Sequence, residues 1–446
     1  MRSASSSRAT SANVPDLVIH DVTLIDGTGA PPLERAIVRI EDGRIASIDR
    51  GVEDVPAGVE VIDGRGLWAA PGLIDTHVHL DLAGMESLPL FLAAGVTTIR
   101  DLGGPLEGLL AARRALADGA AGPRLLFAGP FIDGDPPTWP AQQPGSNEPD
   151  AAVAAVDERL AAGADAIKLY TTLPLESARR CIEHVDGRVP VTGHLGRTLS
   201  SEAMAAGIDG LEHALLTPYN DFAPEELRTA PGEVMVTPGF WQKVYRGWLT
   251  ADLDSERARR WIALLVERDV SLCPTLTVAP GAGDAPDEQL LRYAPRVAER
   301  WREASGLREA TSPEAQALAR GARARLQELV GRVHQAGGRI VAGTDTGAIR
   351  HLVPGFGLHE ELSHLAGAGL SNMDVLRAAT GRAAEALWGS DLGTIEPGKR
   401  ADLLLVRRNP LEDLGALREI ERVVAGGRVF DPAALLARAA GETGVG

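Results

Sequence analysis

The sequence predicts an α/β fold: a (β/α)8 TIM barrel carrying a small β-sandwich domain built from both chain ends. Three observations lead there. Short apolar segments alternate with Ala/Leu/Glu/Arg-rich stretches through the middle of the chain. Strand-like segments occupy both ends. Histidine, lysine and aspartate recur where the apolar segments stop, which spreads one site over many strands. A doubly wound sheet is the competing arrangement. It would gather its site at one switch point, and no GxGxxG follows the first strand.

The elements follow in chain order. Residues 1–14 are Ser/Ala/Arg-rich, lack the apolar run of a signal peptide and read as a disordered tail. In residues 15–70, the stretch 16–25 alternates imperfectly, and 35–48 reads as a hairpin turning at Asp42-Gly43, a pair that tolerates left-handed backbone. The barrel is expected over 71–385. Its strands are placed at 72–76, 96–100, 124–128, 166–170, 189–193, 208–213, 270–276 and 339–344. Helical stretches lie between several of them, the longest at 313–336. Strand-like runs at 401–410 and 420–430 return the chain to the first unit, so 386–436 completes it and 437–446 is a tail. Residues 279–312, rich in Pro, Gly and charge with a helical section near 286–303, read either as a mobile cover over the site or as a surface excursion.

Composition narrows the function. A formal net charge of −16 over 446 residues disfavours non-specific nucleic-acid binding. No uninterrupted apolar stretch of about 18 residues exists to span a membrane. The two cysteines, Cys181 and Cys273, make no disulfide framework and are expected as buried thiols. The expectation is a cytoplasmic enzyme acting on a small molecule, and a homo-oligomer is compatible with it.

The chemistry begins at PGLIDTHVHL, residues 71–80. One residue separates His77 from His79, so on a strand both imidazoles face one side and can hold one metal ion. The pair alone also fits two ordinary core or surface histidines. Lys168 lies in the apolar DAIKLY. A free ammonium there is costly, so the lysine either pairs with an acid or reacts with carbon dioxide to form a carbamate, an anionic oxygen ligand. Snorkelling from the strand end is the structural alternative. Tyr170 shares its face at spacing two. His194 follows RVPVTG, His213 ends GIDGLEH, and Asp345 sits in RIVAGTDTGA. A carboxylate there can bind a cation and take a proton from water. Each residue taken singly fits a structural role. Six in strand-end contexts point to a metal site, and hence to a hydrolase.

Longer segments carry a family likeness. PGLIDTHVH and GVTTIRDLGG (95–104) resemble the first- and second-strand motifs of the amidohydrolase superfamily. The closing run AATGRAAEALWGSDLGTIEPGKRADLLLV (378–406) is similar to its last helix and returning β-unit. The resemblance covers about residues 16–435. It looks closest to the binuclear branch with imidazolonepropionase-like, prolidase-like and carboxypeptidase-like dipeptidase enzymes, to which KLY (168–170) and LHEEL (358–362) are also similar. Deaminases of the superfamily lack the bridging lysine and place a glutamate where Arg197 stands here.

That resemblance implies two divalent ions, zinc by default, with manganese, iron, nickel or cobalt fitting the same ligands. One ion would be held by His77, His79 and Asp345 and the other by His194 and His213, with a carbon dioxide-derived carbamate on Lys168 bridging them. A bridging hydroxide would attack the carbonyl, Tyr170 would help polarise it, and Asp345 would pass the proton to the leaving amine. The implied reaction is hydrolysis of a C–N amide bond in a dipeptide, N-acyl amino acid or similar small amide. The alternatives are an ester, lactone, carbamate or cyclic amide on the same site and, remotely, a non-catalytic metal-binding protein.

Substrate contacts are expected on the loops after the strands. The Pro/Gly-rich loop 130–148 contains Trp139, and residues 215–249 concentrate Tyr219, Phe222, Phe240, Trp241, Tyr245 and Trp248 in a chain with 4% aromatics. That cluster either lines the pocket, with Trp139, Trp241 and Tyr245 as contacts, or packs on the barrel rim. Arg100, Arg197, Arg246 and Arg350 are candidates to clamp a substrate carboxylate, though Arg100 is also placed to pair with Asp101. His359 is expected to approach the mouth.

Overall fold

The computed structural model describes residues 16–51, 58–139, 145–230, 233, 235, 239–278, 288–308, 313–349 and 351–440. The chain opens with β1 (Leu17–Leu24), β2 (Leu33–Glu41), β3 (Arg44–Arg50), β4 (Glu60–Asp63) and β5 (Trp68–Pro71). The β2–β3 hairpin turns where expected: Asp42 has φ 49° and Gly43 φ 70°, two consecutive left-handed residues whose twist matches the flanking strands.

Seven parallel barrel strands follow: β6 (Leu73–Val78), β7 (Val96–Asp101), β8 (Arg124–Phe127), β9 (Ile167–Leu169), β10 (Val191–Gly193), β11 (Gly210–Glu212) and β12 (Ser271–Cys273). They hydrogen-bond in two groups, β6-β7-β8 and β9-β10-β11-β12. Single bridges join the groups into a ring. Ile132 pairs with Leu169, and Asp165 N donates to Phe127 O at 2.8 Å. On the other side the stretch 339–346 lies between β12 and β6, bridging Ile340 to Leu272 and Thr346 to Val78. This eighth wall keeps single ladder contacts but not a regular strand, and it turns at the left-handed Asp345 (φ 60°). Every residue of β6 and of β7 is buried, as parallel strands covered on both faces require.

The chain then returns through β13 (Leu403–Val406), β14 (Ile420–Ala425) and β15 (Arg428–Phe430). These join the opening strands in one connected sheet of order β15-β14-β13-β5-β1-β2-β3, with β4 on β1. The seam is β5 against β13, where Pro71 faces Leu403 and Trp68 faces Val406. Leu17, Ile19, Val38, Leu403 and Leu405 form a core of their own beneath it. The expected barrel and its auxiliary β-sheet unit from both ends are therefore both present. The sheet anchors the start of β6, which carries His77 and leads directly into His79.

The expected N-terminal tail, 1–14, lies outside the described residues; of the expected C-terminal tail, 437–439 end the helix Pro432–Ala439 and 441–446 lie outside the described residues. Of the stretch 279–312, Glu288–Leu291 and Pro295–Arg308 are helical, and 279–287 and 309–312 lie outside the described residues. The second helix touches the barrel rim: Arg296 Nε lies 2.7 Å from Glu86 Oε1.

Candidate metal centre

The carboxyl ends of the barrel strands bring the six expected residues toward one mouth. His77 lies on β6 and His79 just beyond it, Lys168 is central in β9, and His194 and His213 directly follow β10 and β11. Asp345 belongs to the eighth wall. Its Oδ1 lies 3.0 Å from His79 Nε2 and 3.5 Å from His77 Nε2. The His213 ring stands 4.6 Å from that of His77 and 4.3 Å from that of His194, centroid to centroid. Two members hold left-handed backbone, His213 (φ 62°) and Asp345 (φ 60°). Such conformations cost about 1–3 kcal/mol each and persist where the surroundings enforce them. Here His213 N donates to Cys273 O at 2.9 Å and Asp345 N to His77 O at 2.8 Å.

One residue that sequence reasoning missed organises the floor of this site. Glu212, the last residue of β11, is 1% exposed. It accepts hydrogen bonds from Arg100 Nη2 (2.8 Å) and Thr192 Oγ1 (2.6 Å), and it lies 2.8 Å from His77 Nδ1. Burial alone would raise its pKa. The charges of Lys168, Arg100 and His77 outweigh that and hold it well below the usual carboxylate range. The signal was present, since Glu212 precedes His213 in GLEH, but an acid beside a histidine is too common to stand out.

Among the described residues, two clusters have donor atoms within 4.8 Å of one another: His77, His213 and Asp345, and His77, Glu212 and Cys273. They share His77, which turns one ring nitrogen toward each, so the arrangement is binuclear. The fit to cations is chemical as well as geometric. His77 Nε2, both ring nitrogens of His194 and Asp345 Oδ1 are buried without a well-formed hydrogen bond. Polar atoms left so in a folded interior cost about 1–3 kcal/mol each unless a ligand satisfies them. Burial also holds the imidazoles neutral, as ligands must be. It lowers the His77 pKa to about 4 and takes His194 and His213 well below the ordinary value.

Comparison with known proteins agrees with this geometry. The sequence pattern of the Amidohydrolase family matches residues 288–430. That segment is about a third of the chain. The fold resembles that of a bottromycin amidohydrolase (TM-score 0.76, 23% identity, covering 96% of this chain and 90% of the other). It also resembles a prolidase from Bifidobacterium longum (TM-score 0.68, 25% identity, covering 96% and 99%). Among curated sequences, an adenine deaminase of Thermosipho africanus is 41% identical over 90 residues, 19% of this chain and 15% of that one. The matched segments span only 14–17% of such relatives.

The carbamate bridge expected on Lys168 between two zinc ions is corrected by the site. Among the described residues, neither cluster able to hold a metal includes Lys168; their donors come from histidine, aspartate, glutamate and cysteine. Lys168 Nζ is buried without a hydrogen-bond partner, and burial lowers its pKa to about 8, against the opposing charge of Glu212. The physical reason is the acid supplied by β11. With Glu212 present, the anionic charge comes from a side chain and no modified amine is needed to provide it.

The expected substrate contacts divide. Tyr170 stacks on Phe131 at 4.1 Å, presents its ring edge-on to His194 at 5.0 Å and receives the Trp139 Nε1 hydrogen at 3.1 Å. Burial pushes its phenol upward, so it stays protonated. A small cavity of about 30 Å3 beside His194 is lined by Thr138, Thr171, Arg197 and Phe240. Trp241 and Tyr245 do not line it. They pack on each other, with ring centroids 6.0 Å apart, and join the hydrophobic core. Trp248 likewise is buried, donating to Leu215 O at 2.8 Å.

Two further expectations are corrected. Arg100 is no substrate clamp: its Nε donates to Thr76 O at 2.8 Å and its Nη2 to Glu212, so the guanidinium is committed inside the barrel. Nor does it pair with Asp101, which instead accepts from Leu80 N, Gly103 N and Gly104 N. His359 does not approach the mouth. It is buried with Nε2 2.9 Å from Ala94 O, before the start of β7 and so at the other end of the barrel. Arg197 is exposed and donates to Asn147 Oδ1 at 3.0 Å, and Arg246 is exposed on the helix Phe240–Thr250. Arg350 lies outside the described residues.

Gly347 supports the rim. Its φ is 102°, and a Cβ there would come within 2.2 Å of the His79 carbonyl oxygen. Gly347→Ala is therefore expected to destabilise the fold by about 1–3 kcal/mol and to displace His79. Thermal melts and metal content of the variant check this. An unchanged melting temperature with full metal loading would remove the argument.

Proposed function

We propose that the protein hydrolyses a C–N bond in a small amide such as a dipeptide or an N-acyl amino acid. The carrying observation is the convergence of buried, unsatisfied imidazole and carboxylate atoms at the carboxyl ends of the barrel strands. His77, His213 and Asp345 would hold one divalent ion, and His77, Glu212 and Cys273 a second. Imidazole and carboxylate donors make zinc the first choice. When bound, such an ion supplies Lewis acidity toward a carbonyl and a nucleophile at neutral pH.

The chain's own groups do the rest. Burial would raise the Asp345 pKa, but the contact with His79 and the charges around it lower it, so the carboxylate is ionised at neutral pH. Its Oδ1 takes a proton from the attacking water. As the C–N bond breaks, the same oxygen delivers that proton to the leaving nitrogen, giving a carboxylate and an amine. Tyr170 remains a neutral donor near His194 and orients the carbonyl. Glu212, which faces His77 Nδ1, is itself held in place by Arg100 and Thr192.

Similarity to proteins named prolidase and amidohydrolase supports the amide reading. Two buried, unpaired cysteines support a cytoplasmic location. Among the described residues no helix is long and apolar enough to cross a membrane.

The test is a panel of dipeptides, N-acyl amino acids, aryl carbamates and lactones offered to the purified protein. Turnover of the first two groups, abolished by a chelator and restored by added divalent metal, is the expected result. Turnover restricted to lactones or other esters would defeat the C–N assignment. Full activity in metal-free protein would defeat the proposal as a whole.

A further inference from the structure

A cleft of about 720 Å3 opens at the far end of the barrel, where the starts of β7 and β8 and the approaches to β9 and β10 meet the β14–β15 hairpin. The metal centre lies at the opposite ends of the same strands. The volume falls within the range of small-molecule sites, roughly 300–1,000 Å3.

Its charge runs against that of the chain. The whole protein carries a formal −16, yet five arginines line this cleft against three aspartates, with no lysine, histidine or glutamate. Three of the arginines are committed. Arg113 pairs with Asp165, Arg188 donates to the Val185 carbonyl, and Arg400 pairs with Asp391. Arg124 and Arg428 are not equally bound. Arg124 is ion-paired with Asp402 through Nη2, at 3.6 Å, but its Nε is buried without a hydrogen-bond partner. The exposed Arg428 lies over the Phe430 ring, 5.1 Å from its centroid, and its hydrogen bonds go to the Gly119 carbonyl, at 3.4 Å from each terminal nitrogen.

The apolar side of the cleft is equally specific. Trp388 is 45% exposed, one of few large hydrophobic side chains left open among the described residues. Its left-handed backbone (φ 55°) closes the helix Gly381–Ala386, with Gly389 N donating to Ala384 O at 2.9 Å. Leu116, Leu392 and Phe430 share the lining with it.

We propose that this cleft is a second binding site, for a small organic anion. An aromatic or apolar body would lie against Trp388, and carboxylate or phosphate oxygens would meet Arg124, whose Nε is unbonded beside its ion pair with Asp402, and the exposed end of Arg428. A guanidinium fork matches either oxyacid. The proposal does not depend on the reaction assigned to the metal centre.

Isothermal titration of the full-length, metal-loaded protein tests it with phenyl phosphate, 3-phenylpropionate and neutral 3-phenylpropanol. At least one anion is expected to bind saturably at one per chain, and the alcohol at least tenfold more weakly. The tighter of the two anions identifies phosphate or carboxylate as the favoured group. Arg428→Ala and Arg124→Gln are each expected to weaken the anion about tenfold, and Asp345→Asn to leave it unchanged. Arg428 is exposed, so its variant should fold normally even if Arg124→Gln does not. Absence of saturable binding, equal binding of the alcohol, or loss of binding in Asp345→Asn with none in Arg428→Ala would overturn the proposal.

Discussion

Asp345→Asn is expected to lower kcat by about 10³-fold or more while leaving the fold intact. The substitution keeps the size and shape of the side chain but removes its negative charge. Two consequences combine. The oxygen facing His79 and His77 no longer balances a cation between them, so metal content should fall. The group proposed to take up and deliver the proton is also lost, and positioned acid–base groups contribute about 10²–10⁴ in rate. A 10³-fold loss corresponds to about 4 kcal/mol of barrier. Steady-state kinetics with metal analysis on the same samples decides the matter. A variant with full metal and turnover within tenfold of wild type would remove Asp345 from the chemistry.

Glu212→Ala is expected to give the largest loss of stability of any single change at the site. Arg100 is buried and has Glu212 as its ionic partner, and His77 Nδ1 depends on the same carboxylate. Removing one partner of a buried pair strands the other charge and costs about 3–5 kcal/mol. The melting temperature should drop by roughly 5–10 °C for a chain of this size. Glu212→Gln keeps two hydrogen bonds and should lose less, which separates charge from shape.

The sign of the pH dependence follows from the same network. The folded-state pKa of Glu212 lies below its ordinary value of 4.5. Its stabilisation is therefore complete above that value and is lost as pH falls through the folded pKa. Wild-type melts should show an acid limb below about pH 4.5 that is shallower in Glu212→Gln. Superimposable limbs in the two proteins would show that Glu212 does not contribute there.

Much of this molecule was legible along the chain because the relevant signals are local. The Asp42-Gly43 turn has a backbone requirement that two residues meet, and it appears with both at positive φ. The barrel strands were found because a strand buried on both faces must be apolar throughout, as β6 and β7 are. His77 and His79 were found because a two-residue period places them on one side of one strand.

Where the reading failed, the missing quantity was a distance across the barrel. Lys168 and Glu212 are 44 positions apart, and Glu212 stands between Arg100, Thr192 and His77 from three other strands. Nothing along the chain told which acid would meet which base. Arg100 and His359 failed for the same reason: each was judged by its neighbours in sequence, and each proved committed to a partner more than 100 positions away. The aromatic run 215–249 showed that rings cluster there but not which way the helix turns, and Trp248 faces the core.

Residue type and spacing were thus enough to establish an α/β barrel with metal-binding side chains at its strand ends, since periodicity and burial are properties of a single segment. Folding settled how those side chains share their charges: which carboxylate joins which imidazole, and that Lys168 stands outside both clusters. Electrostatic partnership depends on separation and on the dielectric between groups, and both come into being only when remote strands close into a ring.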